Sequence, residues 1–286
     1  MKRLNRTIAL MLVISFIAAF CAQFPQVVIA APLPINVYVE KYSGGTVSIR
    51  WDNLEDASSV VISYHSPNSA NPGMLETITI NQATNRADIS GLANDVIYDI
   101  SVKVYNKNGV EIGQGLLYFL PRITFQAKIL NQVYRDVEGG GREIGIDPGI
   151  NLKWAIPKVW NGTGFSYVHD ALTYMQDQIK NVYDDGRKID KFSFRINIST
   201  DSTKLNSAPL QASVVIDYES GKYYAYVSGN EALKAEVRSI DSNGYVNFDL
   251  IGKESSEAAP PQTQQYQLLH TGILPGTVYY MNIKPV

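Results

Sequence analysis

Residues 45–65 read GTVSIRWDNLEDASSVVISYH and residues 89–106 read ISGLANDVIYDISVKVYN. Both stretches alternate apolar with polar side chains, the period-2 pattern that turns one face of a strand to a core and the other to water. Outward from them the pattern recurs at 35–41, 46–51, 59–65, 75–81, 86–89, 97–105 and 115–119, with Gly, Asn, Asp or Pro between. Seven short strands at that spacing predict a β-sandwich over residues 34–121. Composition agrees, because 18 Tyr against 9 Phe, with many Val, Ile and Thr, suits half-buried strand surfaces better than helices.

The same residues resemble the fibronectin type III family, an immunoglobulin-like sandwich. Trp51 matches the family's buried tryptophan on the second strand. Leu92, followed six residues later by Tyr98 and then by Ile100, Val102 and Val104, matches its turn-and-strand motif. A tyrosine at that corner buries its ring and hydrogen-bonds its hydroxyl to nearby backbone, locking the crossover between sheets. Asn94-Asp95 stands where the family has Pro-Gly and suits the same turn. A second copy follows: GINLKWAIPKVW (149–160) carries Trp154, and TGILPGTVYYMNIKPV (271–286) carries Ile273, Pro275, Gly276, Thr277 and Tyr279. The spacing from Trp51 to Tyr98 is 47 residues but from Trp154 to Tyr279 it is 125, so the second copy is enlarged. The expectation is a mainly β chain of two tandem fibronectin type III-like sandwiches, 34–121 and 122–286, divided near Pro121-Arg122. The second carries insertions at about 158–191 and 205–262.

In the first insertion Val168, Leu172, Met175, Ile179 and Val182 recur at steps of four and three and predict a helix, with Ser166 as N-cap and Gly186 as its stop. The second contains two hairpins turning at Ser220-Gly221 and Asn243-Gly244, then a polar loop, GKESSEAAPPQTQQ (252–265). The last stretch matches only the family's sixth strand. Its edge is expected to be covered by an inserted strand or by another chain, or the sequence is a shortened form of a longer protein.

Lys2, Arg3 and Arg6 precede an apolar run from Ile8 to Phe20 and a more polar stretch ending Val28-Ile29-Ala30-Ala31. That order predicts a signal peptide over residues 1–30, cleaved after Ala30, and hence a secreted or cell-surface protein. The competing reading, an uncleaved anchor, has an apolar run shorter than the roughly 20 residues a spanning helix needs. Cys21, the single cysteine, lies inside this segment behind Phe20, which disfavours a lipidated cysteine and leaves the rest without disulfides. Removing the leader leaves 22 basic residues against 27 acidic, with no basic stripe, which excludes nucleic acid as an expected partner.

His65, His169 and His270 lie on separate segments without ligand spacing, so no metal site is expected. No nucleophile elbow, phosphate loop or dinucleotide fingerprint is present, and no cofactor is expected. EGGGREIGIDPG (138–149) reads as a loop. Its Glu138, Glu143 and Asp147, like Asp184, Asp185 and Asp190, are oxygen donors of the kind calcium takes, without the alternation of a calcium loop. Trp160, Phe165, Tyr167, Tyr174 and Tyr183 cluster around the predicted helix, and Tyr223, Tyr224 and Tyr226 crowd one predicted strand. Exposed, such rings stack on sugars or anchor a protein; buried, they seal the insertion onto the sandwich. Trp160, Tyr167, Tyr174 and Tyr183 are the candidate binding residues, and Trp51, Leu92, Tyr98, Trp154, Ile273 and Tyr279 the structural ones. The resemblance implies no chemistry. It points to a non-enzymatic spacer, scaffold or adhesion module with a protein or polysaccharide partner outside the cell. The alternative is a carbohydrate-binding or carbohydrate-active protein.

Overall fold

The computed structural model describes residues 31–67, 73–130, 133–137, 141–145, 149–252, 273 and 276–286, the backbone alone at 133–137 and 141–145. Residues 1–30, where a signal peptide is predicted, His270 and most of the stretch 252–265 lie outside the described residues. From Leu33 onward the chain clusters as one compact unit, and it is mainly β.

Two hydrophobic cores organise it. Around the first, β2 (Val37–Ser43), β3 (Thr46–Trp51) and β6 (Arg86–Ile89) form a three-stranded sheet. It faces a sheet in which β5 (Met74–Ile80), β4 (Ala57–Ser66), β7 (Val96–Asn106) and β8 (Glu111–Phe119) lie side by side, with β1 (Leu33–Pro34) running parallel to β8. Alternation sends Val47, Ile49 and Trp51 from one sheet and Val60, Ile62, Tyr98 and Ile100 from the other into the shared core. Trp51 is 2 % exposed, and full burial of side chains this large contributes about 3 kcal/mol each. Leu92 is buried beside it. The Tyr98 hydroxyl accepts the Ala93 N–H at 2.7 Å, and Asp95 takes a left-handed φ of 61° at the turn before it.

The second core lies between two four-stranded sheets. One runs β18 (Leu233–Ile240), β19 (Tyr245–Gly252), β12 (Gly149–Ala155), β9 (Phe125–Leu130); the other runs β17 (Lys222–Ser228), β16 (Leu210–Asp217), β15 (Lys191–Ser199), β20 (Tyr280–Pro285). Trp154, 1 % exposed, meets Phe194 edge-on at 5.6 Å, with Phe248 at 6.1 Å. Ile273 is buried in this core, and Tyr279 packs against it partly buried. The stretch at 205–262, expected as an insertion, supplies β16 to β19 to these two sheets; the hairpins turn at Gly221 (φ 66°) and Gly244 (φ 71°). Among the described residues no strand pairs the free side of β20.

Two local expectations need correction. The helix α1 spans Leu172–Tyr183, but Ser166 does not cap it: Ser166 pairs with Val159 in the short ladder between β13 (Lys158–Trp160) and β14 (Phe165–Tyr167). Ala171, buried, stands at the N-cap without a side-chain bond, and Asp184, left-handed at φ 46°, ends the helix ahead of Gly186, its N–H bonding Lys180 O. The glycine-rich stretch read as a loop contains β11 (Gly141–Gly145), paired antiparallel with β10 (Val133–Val137), because backbone hydrogen bonds form a ladder without help from side chains.

Candidate functional site

The two cores meet at a joint, and the aromatic residues singled out in the sequence assemble it. The connection between the sheets is buried: Leu120 and Ile123 belong to the second core, and so does Ile97 of β7. The backbone is continuous across the joint as well. β4 pairs with β7 from Ser101 to Asn106, and where it ends β13 takes over, Lys158 opposite Val96 and Val159 opposite Ile97, in parallel register. Lys158 N–H donates to Asp95 O at 3.1 Å, Asp95 N–H to Arg122 O at 2.8 Å, and Thr124 N–H to the Asp95 carboxylate at 2.6 Å.

β13 carries Trp160 to the surface of the first sandwich. Its ring stacks on His65 at 4.6 Å and 14° between planes, with Phe165 edge-on at 5.7 Å. Gly73, at φ 91°, lies so close beneath that an added Cβ would stand 2.1 Å from the indole. His65 Nδ1 in turn lies 3.0 and 3.2 Å from the two oxygens of Asp99, which is 7 % exposed. From α1, Tyr174 donates its hydroxyl to Asp99 at 3.5 Å, while Tyr118 of β8 donates to the Met175 carbonyl at 3.3 Å. Burial, reinforced by the nearby Asp99 charge, pushes the Tyr174 hydroxyl up to about 12 and raises Tyr118 as well. Both therefore stay neutral donors at ordinary pH.

At the far end of α1, the Tyr183 hydroxyl lies 3.2 Å from the carbonyls of both Ile35 and Leu116 and accepts the Leu116 N–H at 3.4 Å. The Arg187 guanidinium covers the Tyr183 ring at 4.0 Å. Tyr167 is engaged elsewhere. Its hydroxyl donates to the Asn243 carbonyl in the turn between β18 and β19, its ring stacks on His169, and Lys158 lies over it at 5.2 Å. Three of the four binding candidates thus join the cores, and the fourth braces the insertion against a hairpin of the second sheet pair.

The histidine and the carboxylate of this joint, His65 and Asp99, were not read as partners from the sequence. One signal was available: Ile97 is apolar at an outward position of β7, which marks that end of the strand as covered. Chemically, the Asp99 carboxylate is taken up by His65 and Tyr174 and one side of Trp160 by His65, so the cluster holds two surfaces together. Among the described residues no three His, Asp or Glu side chains converge as metal ligands do; Glu138, Asp147 and the side chain of Glu143 fall outside them. An open cleft of about 150 Å³ lies between β9 and β20, lined by Ala127, Lys128, Ile129, Thr277, Tyr279 and Met281, with one charged group and no acid.

No protein-family model matches this chain, and no curated protein does. Solved structures resemble it weakly. The chitinase ChiA74 from Bacillus thuringiensis matches with a TM-score of 0.24 at 11% identity over 87% of this chain and 25% of its own. The FN1-FN3 domains of chicken CNTN1 match with a TM-score of 0.23 at 10% identity over 69% of this chain and 68% of theirs. The chain spans a quarter of the chitinase's length, and likenesses at these TM-scores carry neither a family nor an activity.

Proposed function

We propose that this chain is an exported, non-enzymatic scaffold in which two fibronectin type III-like sandwiches are fastened into one stiff spacer. The fibronectin reading is supported by the grouping of β2, β3 and β6 against β5, β4, β7 and β8, and by the corner bond of Tyr98. Export is supported by the leader-like residues 1–30.

The observation that carries the stiff-spacer reading is the joint itself. Tandem domains joined by an exposed linker move relative to each other by default. Here the connection from Leu120 to Ile123 is largely buried, β13 continues the sheet of β7, and Trp160, Tyr174 and Tyr183 reach across. Such a body separates whatever lies at its two ends by a fixed distance, which is what a spacer or presenting scaffold needs. Small-angle scattering of the purified protein tests this: one rigid shape should fit the curve, and a curve that requires an ensemble of hinged shapes refutes it. N-terminal sequencing of the extracellular fraction tests export, with Ala31 expected as the first residue and an unprocessed intracellular chain counting against it.

A further inference from the structure

Among the described residues, the outer face of the sheet β17-β16-β15-β20 gathers positive charge with few acidic partners. Alternation turns Phe194, Ile196, Ile198, Ala212 and Val214 inward, so their neighbours along β15 and β16 lie on the other face, where Asn197 and Ser199 are buried and Ser193, Arg195, Gln211, Ser213 and Val215 are exposed or half-buried. The register sets these in rows. Tyr226, Ser213, Arg195 and Lys284 form one, about 14 Å long at the usual strand spacing. Ser228, Gln211, Asn197 and Asn282 flank it on one side, and Tyr224, Val215 and Ser193 on the other.

The charged groups on this face are Lys191 and Arg195 of β15, Asp217 of β16, Lys222 of β17 and Lys284 of β20, four cations and one acid. The chain as a whole has 25 basic residues against 27 acidic, so the face runs against the overall balance. Asp217 is occupied by Lys191 at 4.0 Å and by the amides of Glu219 and Ser220. Asp201, at the start of the neighbouring 3-10 turn Ser202–Ser207, is taken by Thr203 and Lys204. Arg195 and Lys284 are both exposed and stand directly opposite each other in the ladder, a like-charge pairing that destabilises a sheet. Among the described residues neither has an acidic partner; Lys284 donates to the Asn206 side chain at 2.6 Å.

We propose that this face binds an acidic polysaccharide, with sugar carboxylates on Arg195 and Lys284 and sugar rings over Tyr226 and Tyr224. The two tyrosines are 55 % and 46 % exposed, on the same side of β17 and about 7 Å apart. The hydroxyl and amide groups of Ser193, Gln211, Ser213 and Asn282 lie between and beside the charges, suited to sugar hydroxyls. Aliphatic surface on this face is limited to half-buried Val215 and exposed Val286, whose N–H bonds Ser193 O; the rest is flat rings, hydroxyls, amides and charges, the groups that meet the faces, hydroxyls and carboxylates of acidic sugars. An anion here removes the repulsion between Arg195 and Lys284. The proposal rests on the exported reading for where such a polymer is met, and is independent of the stiffness of the joint.

Affinity electrophoresis of the full chain through gels containing polygalacturonate, neutral dextran or polyglutamate tests it. Expected is retardation by polygalacturonate and not by dextran, weakened about tenfold in Arg195→Ala/Lys284→Ala and severalfold in Tyr226→Ala, with no melting temperature lowered, since Tyr226 is exposed and the double variant relieves the repulsion between Arg195 and Lys284. No retardation by polygalacturonate overturns the proposal, as does retardation that the variants leave intact. Equal retardation by polyglutamate, insensitive to Tyr226→Ala, assigns the face to an acidic protein and also overturns it. Each of these results leaves the scattering test of the spacer standing.

Discussion

Replacing Tyr183 by Phe removes one oxygen atom from the joint and nothing else. The ring stays, with Arg187 over it at 4.0 Å, so packing is unchanged. What is lost is the hydroxyl that donates towards the Ile35 and Leu116 carbonyls at 3.2 Å and accepts the Leu116 N–H at 3.4 Å. β1 covers β8 only at Gly113 and Gln114, so beyond that point the outer edge of β8 depends on α1 for this partner. One donated bond at about 1 kcal/mol and one long accepted bond worth less give a cost of about 1–2 kcal/mol. Because the contact links residues far apart in the chain, the cost falls on the docking of α1 rather than on either core. Native-state hydrogen exchange reads it directly: the Leu116 amide should exchange about 5–30 times faster in Tyr183→Phe, the factor that corresponds to that energy, while amides of β3 and β12 change little. A Leu116 rate that moves by less than about twofold, or equal acceleration everywhere, refutes the idea that Tyr183 fastens the helix to the first sandwich.

Gly73→Ala should lower stability by about 1–3 kcal/mol in thermal melts, since its φ is 91° and its Cβ meets Trp160 at 2.1 Å; in a Trp160→Ala background the steric part of that cost should vanish, and additive costs would contradict the contact. Tyr98→Phe should cost about 1–2 kcal/mol through the orphaned Ala93 N–H, seen as a lower denaturant midpoint with an unchanged slope. Alkaline titration should show steep loss of stability. Tyr174 is raised from 10.0 to about 12 by burial and Asp99, and Tyr118 and Tyr218 are raised by burial with Asp99 and Asp170 respectively, so the folded state holds protons that the unfolded chain releases above about pH 10. The contribution of these three hydroxyls is therefore constant below that pH and falls as pH rises from 10 through 12, and Tyr118→Phe should flatten the fall; stability unchanged between pH 10 and 12 would contradict the burial of these hydroxyls.

The strands of the first sandwich were legible because their information is local: alternation fixes the faces, and Gly45, Asn94-Asp95 and Gly109 mark turns. The helix was legible in its apolar stripe but not at its ends, because Ser166, a sound capping residue in isolation, is claimed by pairing with Val159. Residues 205–262 read as surplus when measured against the family's length, yet β16 and β19 lie inside the second pair of sheets, a matter of pairing partners that spacing does not encode. The aromatic cluster was visible as a cluster. What it faces was not, because Trp160 meets His65, Tyr174 meets Asp99 and Tyr183 meets Ile35 across separations that only the folded chain closes. The charged rows across β15 and β20 were invisible for the same reason, since Arg195 and Lys284 become neighbours only through the ladder.

The joint is tested most directly by a distance distribution across it. With no cysteine after Cys21, spin labels at Asn108→Cys and Ser220→Cys, both in exposed turns on opposite sides of the joint, report one distance each time the two cores are frozen in place. Double electron-electron resonance should give a single narrow peak that broadens when Trp160 and Tyr183 are both changed to Ala. A broad or multi-peaked distribution in the unaltered protein would mean that the two sandwiches swing freely and that the stiff scaffold does not exist.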